Sequence, residues 1–222
     1  MSTTATPDSR RRSRRSPTRS SGATAWSALP GKWWKGWGQG RRVVLPDSGT
    51  ERLVIRLLER RDLEQVRHLH NHDETLLRLT DVWPVSETQQ EAWFESVSSS
   101  RTARRYVGRR RADDALVGVF RLDRLDPWNR NAYVGADVVP AMRRQGYAEE
   151  MFAYFLGHLF DHCGLHRLAL VTLTSNTAAL ALYRKLGFVE EGRERQAIFR
   201  DGGFQDLVLM GLLAEEWRGR AG

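Results

Sequence analysis

Val138-Val139-Pro140-Ala141-Met142-Arg143-Arg144-Gln145-Gly146-Tyr147-Ala148 is the stretch on which the reading of this chain turns. An apolar run stops at a proline, a short basic loop with one glycine follows, and a helical apolar period starts at Ala148. That succession is a strand, a loop and a helix N-terminus. The first amides of a helix lack an intrahelical partner and sit at the positive end of its dipole, which suits a phosphate or pyrophosphate. Gly146 lets backbone come close to such a group, and Arg143 and Arg144 add positive charge.

Downstream of the loop, apolar residues recur at 148, 151, 152, 155, 156, 159, 160 and 163, one stripe of a helix. Cys163 closes the stripe. It is the only cysteine, which excludes an intramolecular disulfide, and its place in the pattern predicts a buried structural thiol rather than a nucleophile. His158 and His162 are expected on the surface. Arg167 to Thr172 reads as a buried strand. Asn176 opens another helix, which runs to about Leu186 and is ended by Gly187. Phe188 to Gln196 and Phe204 to Leu213 read as the last two strands, joined by a turn at Asp201-Gly202-Gly203.

Upstream, Arg52 to Leu58 reads as a first strand, and a helix opens at Arg61-Asp62 and ends near His70. Residues 73–85 form an irregular link. Ser86 with Gln89 makes a capping box for the helix that carries Gln90, Trp93, Phe94 and Val97. Arg104 to Gly108 and Leu116 to Leu122 form a hairpin around Ala112-Asp113-Asp114-Ala115. Asn131 to Val139 is the fourth strand and leads into the basic loop. The class is α/β, one mixed central sheet flanked by helices. The cluster His68-Leu69-His70-Asn71-His72 lacks a completing carboxylate or cysteine, so it reads as surface or groove histidines, and no metal site is expected.

Charge is unevenly distributed. Ten of the 35 Lys and Arg but only two of the 27 Asp and Glu lie in residues 1–50, so the remainder is balanced at 25 against 25. The net charge of +8 belongs to that N-terminal segment. Its Ser, Thr, Arg, Pro and Gly content predicts a disordered tail over 1–50, followed by one domain over 51–217. The block Arg10-Arg11-Arg12-Ser13-Arg14-Arg15 and the run Gly31 to Gly38, which carries Trp33, Trp34 and Trp37, suit contact with nucleic acid or an acidic or membrane surface. They equally suit a solvated appendage. No apolar run approaches the roughly 18 residues a membrane helix needs, and no secretory leader is apparent. A cytoplasmic protein is the expectation.

Two stretches together carry a family resemblance. Arg143-Arg144-Gln145-Gly146-Tyr147-Ala148 has the loop pattern Arg/Gln-x-x-Gly-x-Gly/Ala, and Asn176 to Phe188 has the pattern N-x-x-A-x-x-x-Y-x-K-x-G-F. Over roughly residues 51 to 213 the chain resembles the GNAT superfamily of acyl-CoA-dependent N-acetyltransferases. The Gln90-x-x-Trp93 helix is similar to that of its ribosomal-protein and spermidine branch. The resemblance implies an acyl-CoA N-acyltransferase fold with a splayed sheet, acetyl-CoA as cosubstrate without a metal, and transfer of acetyl to a primary amine of a small molecule, peptide or protein N-terminus. It implies that CoA lies against the backbone of Val138 and Val139, that its pyrophosphate sits on the amides of Arg144, Gln145, Gly146, Tyr147 and Ala148 with Arg143 also cofactor-binding, and that Asn176 lies beside its arm. It implies Tyr183 as the general acid to the departing thiolate. A homodimer is in keeping with such relatives. Where relatives often carry a glutamate base early on the fourth strand, this chain has Tyr133. Asp137, four residues on and on the same strand face, is the substitute candidate as base or ammonium anchor. Glu95 and Asp73 are further candidates for the acceptor side. A non-catalytic acyl-CoA sensor with a binding tail is the competing function.

Overall fold

The structure, a computed structural model, describes residues 49–220. Everything expected of the tail before residue 49 lies outside the described residues. Among those residues the strands β1 (Leu53–Leu57), β2 (Arg104–Arg110), β3 (Leu116–Asp126), β4 (Asn131–Val138), β5 (Arg167–Leu173), β6 (Val189–Arg200) and β7 (Gly203–Leu213) form one sheet in the order β1-β2-β3-β4-β5-β7-β6. Every neighbouring pair is antiparallel except β4 and β5, which run parallel.

The helices cover the two faces separately. On one face α4 (Tyr147–Gly157) and α5 (Thr177–Leu186) bury Met151, Phe152, Phe155, Leu180 and Tyr183 against Phe120, Val134, Leu170 and Met210. Phe155 stacks on Phe120 with centroids 3.8 Å apart. On the other face α1 (Leu63–His70) and α3 (Glu87–Ser99) bury Leu63, Val66, Leu69 and Phe94 against Val107, Leu116 and Val119. The capping box at α3 forms as expected: Ser86 Oγ accepts from the Gln89 amide, and Gln89 Oε1 accepts from the Ser86 amide. A buried ion triad ties the second layer to the sheet. Asp62, fully buried, accepts from Arg56 at 2.7 Å and from Arg109 at 2.9 Å.

The structure corrects several expectations. The link 73–85 contains a short helix, α2 (Asp73–Leu76), capped by His72, whose Nδ1 accepts from the Glu74 amide. The helix from Ala148 starts one residue earlier and changes after Gly157 into a π-helical turn, His158–His162. That extra residue per turn shifts the stripe, so Cys163 is exposed rather than buried, while His158 and His162 are half-buried with rings 5.9 Å apart. A C-terminal helix, α6 (Ala214–Arg220), continues directly from β7 and was not expected.

Candidate functional site

The pairing of β4 with β5 stops early. Asn131, Ala132 and Tyr133 face Arg167, Leu168 and Ala169, and beyond them the two parallel strands are unpaired although β4 runs on to Val138 and β5 to Leu173. The sheet is therefore split over the C-terminal halves of two central strands. Alternation along β4 decides which backbone groups border the gap. The Val139 amide donates to Val117 O at 2.9 Å, so the alternate residues Val138, Ala136 and Val134 turn their N–H and C=O away from β3 and toward the split. Open strand edges of this kind are ready to receive an extended, amide-bearing chain.

A cleft of about 590 Å³ occupies the split. Its walls include Ala136, Asp137 and Val138 of β4, Val171 and Thr172 of β5, the basic loop, and Asn176, Ala179 and Tyr183 of α5. The loop after β4 makes a 3₁₀ turn at Pro140–Met142 and then places Arg144 at φ 59° and Gly146 at φ 81° before α4 begins at Tyr147. Gly146 meets that left-handed requirement without strain. Arg52 fixes the loop from β1: its guanidinium donates to Gln145 O at 3.0 Å, pairs with Glu150 at 2.5 Å and lies over the Tyr147 ring.

The loop residues divide by role. Arg144 and Gly146 are exposed at the cleft. Gln145 Nε2 donates to Ala141 O at 2.9 Å and stiffens the turn. Tyr147 is buried in the core, leaving only its backbone for a ligand. Ala148 lines the cleft at the start of α4. Arg143 lines the cleft but its donors are spent: it donates to Val138 O at 3.0 Å, Glu74 at 2.7 Å and Thr75 Oγ1 at 2.9 Å, clamping the loop to α2. Of the two residues expected to carry backbone contacts, Val138 faces the split with its carbonyl held by Arg143, whereas the Val139 amide, just past β4, is spent on β3. Ala136, with the same outward parity as Val138, was missed. Asn176 caps α5, accepting from the Ala179 amide at 3.4 Å, and also lines the cleft.

Tyr183 projects from α5 into the same cleft, seven residues and two turns beyond Asn176. It is almost completely buried, with its ring edge-on to Phe152 at 5.4 Å. Burial pushes its phenol up to about 12; Arg121 works against that rise and Asp137 adds to it. The hydroxyl is therefore a proton carrier at neutral pH.

A second, smaller pocket of about 320 Å³ lies on the α1–α3 face. Val66, Leu69, Leu79, Val85, Trp93 and Val119 give it an apolar wall, with His70, Asp81 and Gln90 at intervals. The two clefts meet at Thr75, Leu79, Thr80, Arg121 and Asp137. Asp137 stands on the face that carries Tyr133 and Gly135, as its spacing predicted, and receives a hydrogen bond from Arg121 Nη1 at 2.9 Å. Arg121 was not anticipated from the sequence. It lies directly across from Gly135, where an added Cβ would meet its Nε at 2.5 Å, so the glycine is what makes room for the guanidinium. The available signal was a glycine inside a strand opposite a single cation in an apolar one. Tyr133 is instead covered by the Arg124 guanidinium, 4.8 Å from its ring. Glu95 pairs with Arg60, and neither it nor Asp73 borders either cleft. Among the described residues no group of His, Cys, Asp and Glu could hold a metal.

An open strand edge, a helix N-terminus with exposed cationic loop and a buried phenol at the far end form a lining suited to an acyl-CoA. The comparisons with known proteins agree. The family profile described as "Acetyltransferase (GNAT) domain" matches residues 52–189. The Vibrio cholerae spermidine N(1)-acetyltransferase is 26% identical over 175 residues, 78% of this chain and 99% of its own. The Bacillus subtilis protein YdaF, whose name gives it provisionally as a ribosomal N-acetyltransferase, is 26% identical over 176 residues, 77% of this chain and 96% of its own. A crystal structure of the Vibrio cholerae spermidine N-acetyltransferase in complex with CoA and spermine superposes with a TM-score of 0.71 at 25% identity, covering 76% of this chain and 99% of that one. The split sheet, the cradle and these likenesses converge on one conclusion: this chain belongs to the GNAT acetyltransferase family and is an acetyl-CoA-dependent N-acetyltransferase.

Proposed function

We propose that acetyl-CoA enters the split between β4 and β5 and that a primary amine enters the α1–α3 pocket, the two meeting at Asp137. The observation that carries this reading is the junction itself: one carboxylate borders both clefts, and Tyr183 lines the cleft on the acetyl-CoA side. The Val138 amide and the Ala136 backbone bond the extended arm, Asn176 lies beside it, and the amides of the loop through Ala148, with Arg144 exposed nearby, receive the pyrophosphate.

In the reaction the amine nitrogen attacks the thioester carbonyl, the C–N bond forms, and the C–S bond breaks with its electron pair going to sulfur. The ammonium first releases one proton to water to become the attacking amine, the nitrogen loses a second as the amide forms, and the thiol gains one. Asp137 anchors the incoming ammonium through the carboxylate oxygen that Arg121 does not hold. A phenol near 12 is a weaker acid than a thiol at about 8.5, so Tyr183 stabilises the developing thiolate first as a hydrogen-bond donor. Its proton is completed on sulfur only as the amine's proton becomes available.

The test is thiol release from acetyl-CoA in the presence of a panel of amines, for the protein and for Tyr183→Phe. The substitution is expected to lower kcat about 100-fold with little change in the KM for acetyl-CoA. An unchanged kcat would remove Tyr183 from the chemistry. We place the protein in the cytoplasm, where acetyl-CoA is available; no helix among the described residues is long and apolar enough to cross a membrane. Self-association is part of the same reading. A structural relative from Vibrio cholerae is dodecameric, and Val189, Phe199 and Phe204 stand exposed on the outer hairpin of this chain.

A further inference from the structure

The acceptor pocket carries a cation with unspent donors. Apart from Arg78 and the exposed Arg144, which line the acetyl-CoA cleft only, the other arginines near the two clefts are committed. Arg105 binds Asp123 at 2.8 Å and the Leu122 carbonyl, Arg143 binds Glu74, Thr75 and Val138 O, and Arg200 binds the carbonyls of Leu79 and Phe199. Arg121 differs. Among the described residues its one hydrogen-bond partner is Asp137, reached through Nη1, which leaves Nε and Nη2 without a protein acceptor while the residue borders both clefts. A guanidinium held against Gly135, facing a substrate pocket with free donors, is a receptor for oxygen lone pairs.

Charge and lining narrow the ligand further. The pocket wall holds two carboxylates, Asp81 and Asp137, against two guanidiniums, Arg105 and Arg121. A polyamine brings several ammonium groups and no acceptor oxygen. It would find one carboxylate half-spent on Arg121 and would offer the remaining Arg121 donors no acceptor. Six of the wall side chains are apolar, Trp93 among them.

We propose that Arg121 is a specificity-determining residue and that the acceptor is an α-amino-acyl group. Its ammonium pairs with Asp137, an oxygen one carbon away accepts from Arg121, and its apolar side chain fills the space between Val66, Leu69, Val85 and Trp93. This rests on the acetyl-transfer reading above and separates the present protein from its polyamine-named relatives. The shared chemistry is a carbonyl or carboxylate oxygen beside the amine, supplied either by a free amino acid or by a peptide N-terminus.

The experiment measures thiol release with leucine, the dipeptide Leu-Gly, isopentylamine (the leucine side chain and amine without the carboxyl group) and spermidine, for the protein and for Arg121→Gln and Arg121→Lys. Leucine or Leu-Gly is expected to exceed isopentylamine and spermidine in kcat/KM by about 30-fold or more, because a site built to bond a group rejects the analogue that lacks it. The stronger of the two identifies the source of the oxygen. Arg121→Gln is expected to raise the KM for that acceptor at least tenfold more than it raises the KM for isopentylamine, which shares only the ammonium contact with Asp137, with Arg121→Lys intermediate. The panel on the unaltered protein stands even if a variant fails to fold. Isopentylamine or spermidine matching the amino-acyl acceptors would overturn the inference while leaving acetyl transfer intact. Release with none of the amines would overturn both readings.

Discussion

Gly135→Ala tests whether the acceptor site depends on the space above a single α-carbon. The added methyl would lie 2.5 Å from Arg121 Nε and 2.8 Å from Cζ and Nη2, against an ordinary contact of at least 3.4 Å. The guanidinium must therefore retreat by about 0.9 Å, and a shift of that size along its 2.9 Å bond to Asp137 would open it to about 3.8 Å, beyond hydrogen-bond range. The colliding atoms belong to the end of a flexible side chain, so the backbone need not move. A charge-assisted bond contributes about 1.5–3 kcal/mol. Arg121 and Asp137 keep 36% and 28% of their side-chain surface, so solvent screening reduces that to about 1 kcal/mol. Replacing a strand glycine returns some tenths of a kcal/mol in backbone entropy. The net expectation is a melting temperature lower by about 1–2 °C, a KM for the amine higher by about tenfold, and a KM for acetyl-CoA that does not move. Thermal melts followed by dye fluorescence and two-substrate kinetics measure all three. A fall in melting temperature beyond about 10 °C would mean that the strand itself is displaced. An unaltered amine KM would mean that the Arg121–Asp137 pair does not form the acceptor site. Either result refutes the reasoning.

Other perturbations read different parts of the molecule. Burial alone would push the Asp62 carboxyl up, but hydrogen bonds from Arg56 and Arg109 outweigh it and hold the group at about 2, below its ordinary 3.8. A depressed carboxylate stabilises the fold above its unfolded value and loses that contribution as pH falls toward the folded one. About 2 kcal/mol should therefore disappear between roughly pH 4 and pH 2, and urea melts at stepped pH should show Asp62→Asn lacking this acid step. Gly146→Ala places a side chain at φ 81°, a strain of roughly 1–2 kcal/mol. The variant should melt a few degrees lower and raise the KM for acetyl-CoA several-fold with the amine KM unchanged; an unchanged acetyl-CoA KM would count against the loop as the phosphate cradle. Arg143→Ala removes the clamp to Glu74 and Thr75 rather than a phosphate contact. It should raise both KM values modestly and leave the salt dependence of acetyl-CoA binding as it was.

Local sequence carried the elements whose causes are local. The stripe from Ala148, the Ser86–Gln89 box and the turn at Gly187 each depend on residues within one or two turns, and each forms close to where the pattern puts it. Cys163 shows the limit. Its stripe position was correct for a continuous α-helix, but the π-helical turn at His158–His162, which keeps Leu159 and Phe160 in the core, rotates the residues beyond it. Arg143 shows the same limit at the site. A cation in a basic loop reads as a phosphate ligand until α2, some seventy residues earlier, presents Glu74 and Thr75 to it.

Sequence by itself determined the alternation of strands and helices, the glycine-gated loop before α4 and the Asn176–Tyr183 face of α5, because spacing along one chain specifies periodicity and backbone freedom. Tertiary structure alone decided that β4 and β5 part after three residue pairs, that Ala136 joins Val138 at the open edge, and that Arg121 crosses Gly135 to reach Asp137. Those features come from the register between strands distant in sequence. A one-residue change in that register would exchange the two faces of β4, moving Asp137 from the α1–α3 pocket into the hydrophobic layer beneath α4.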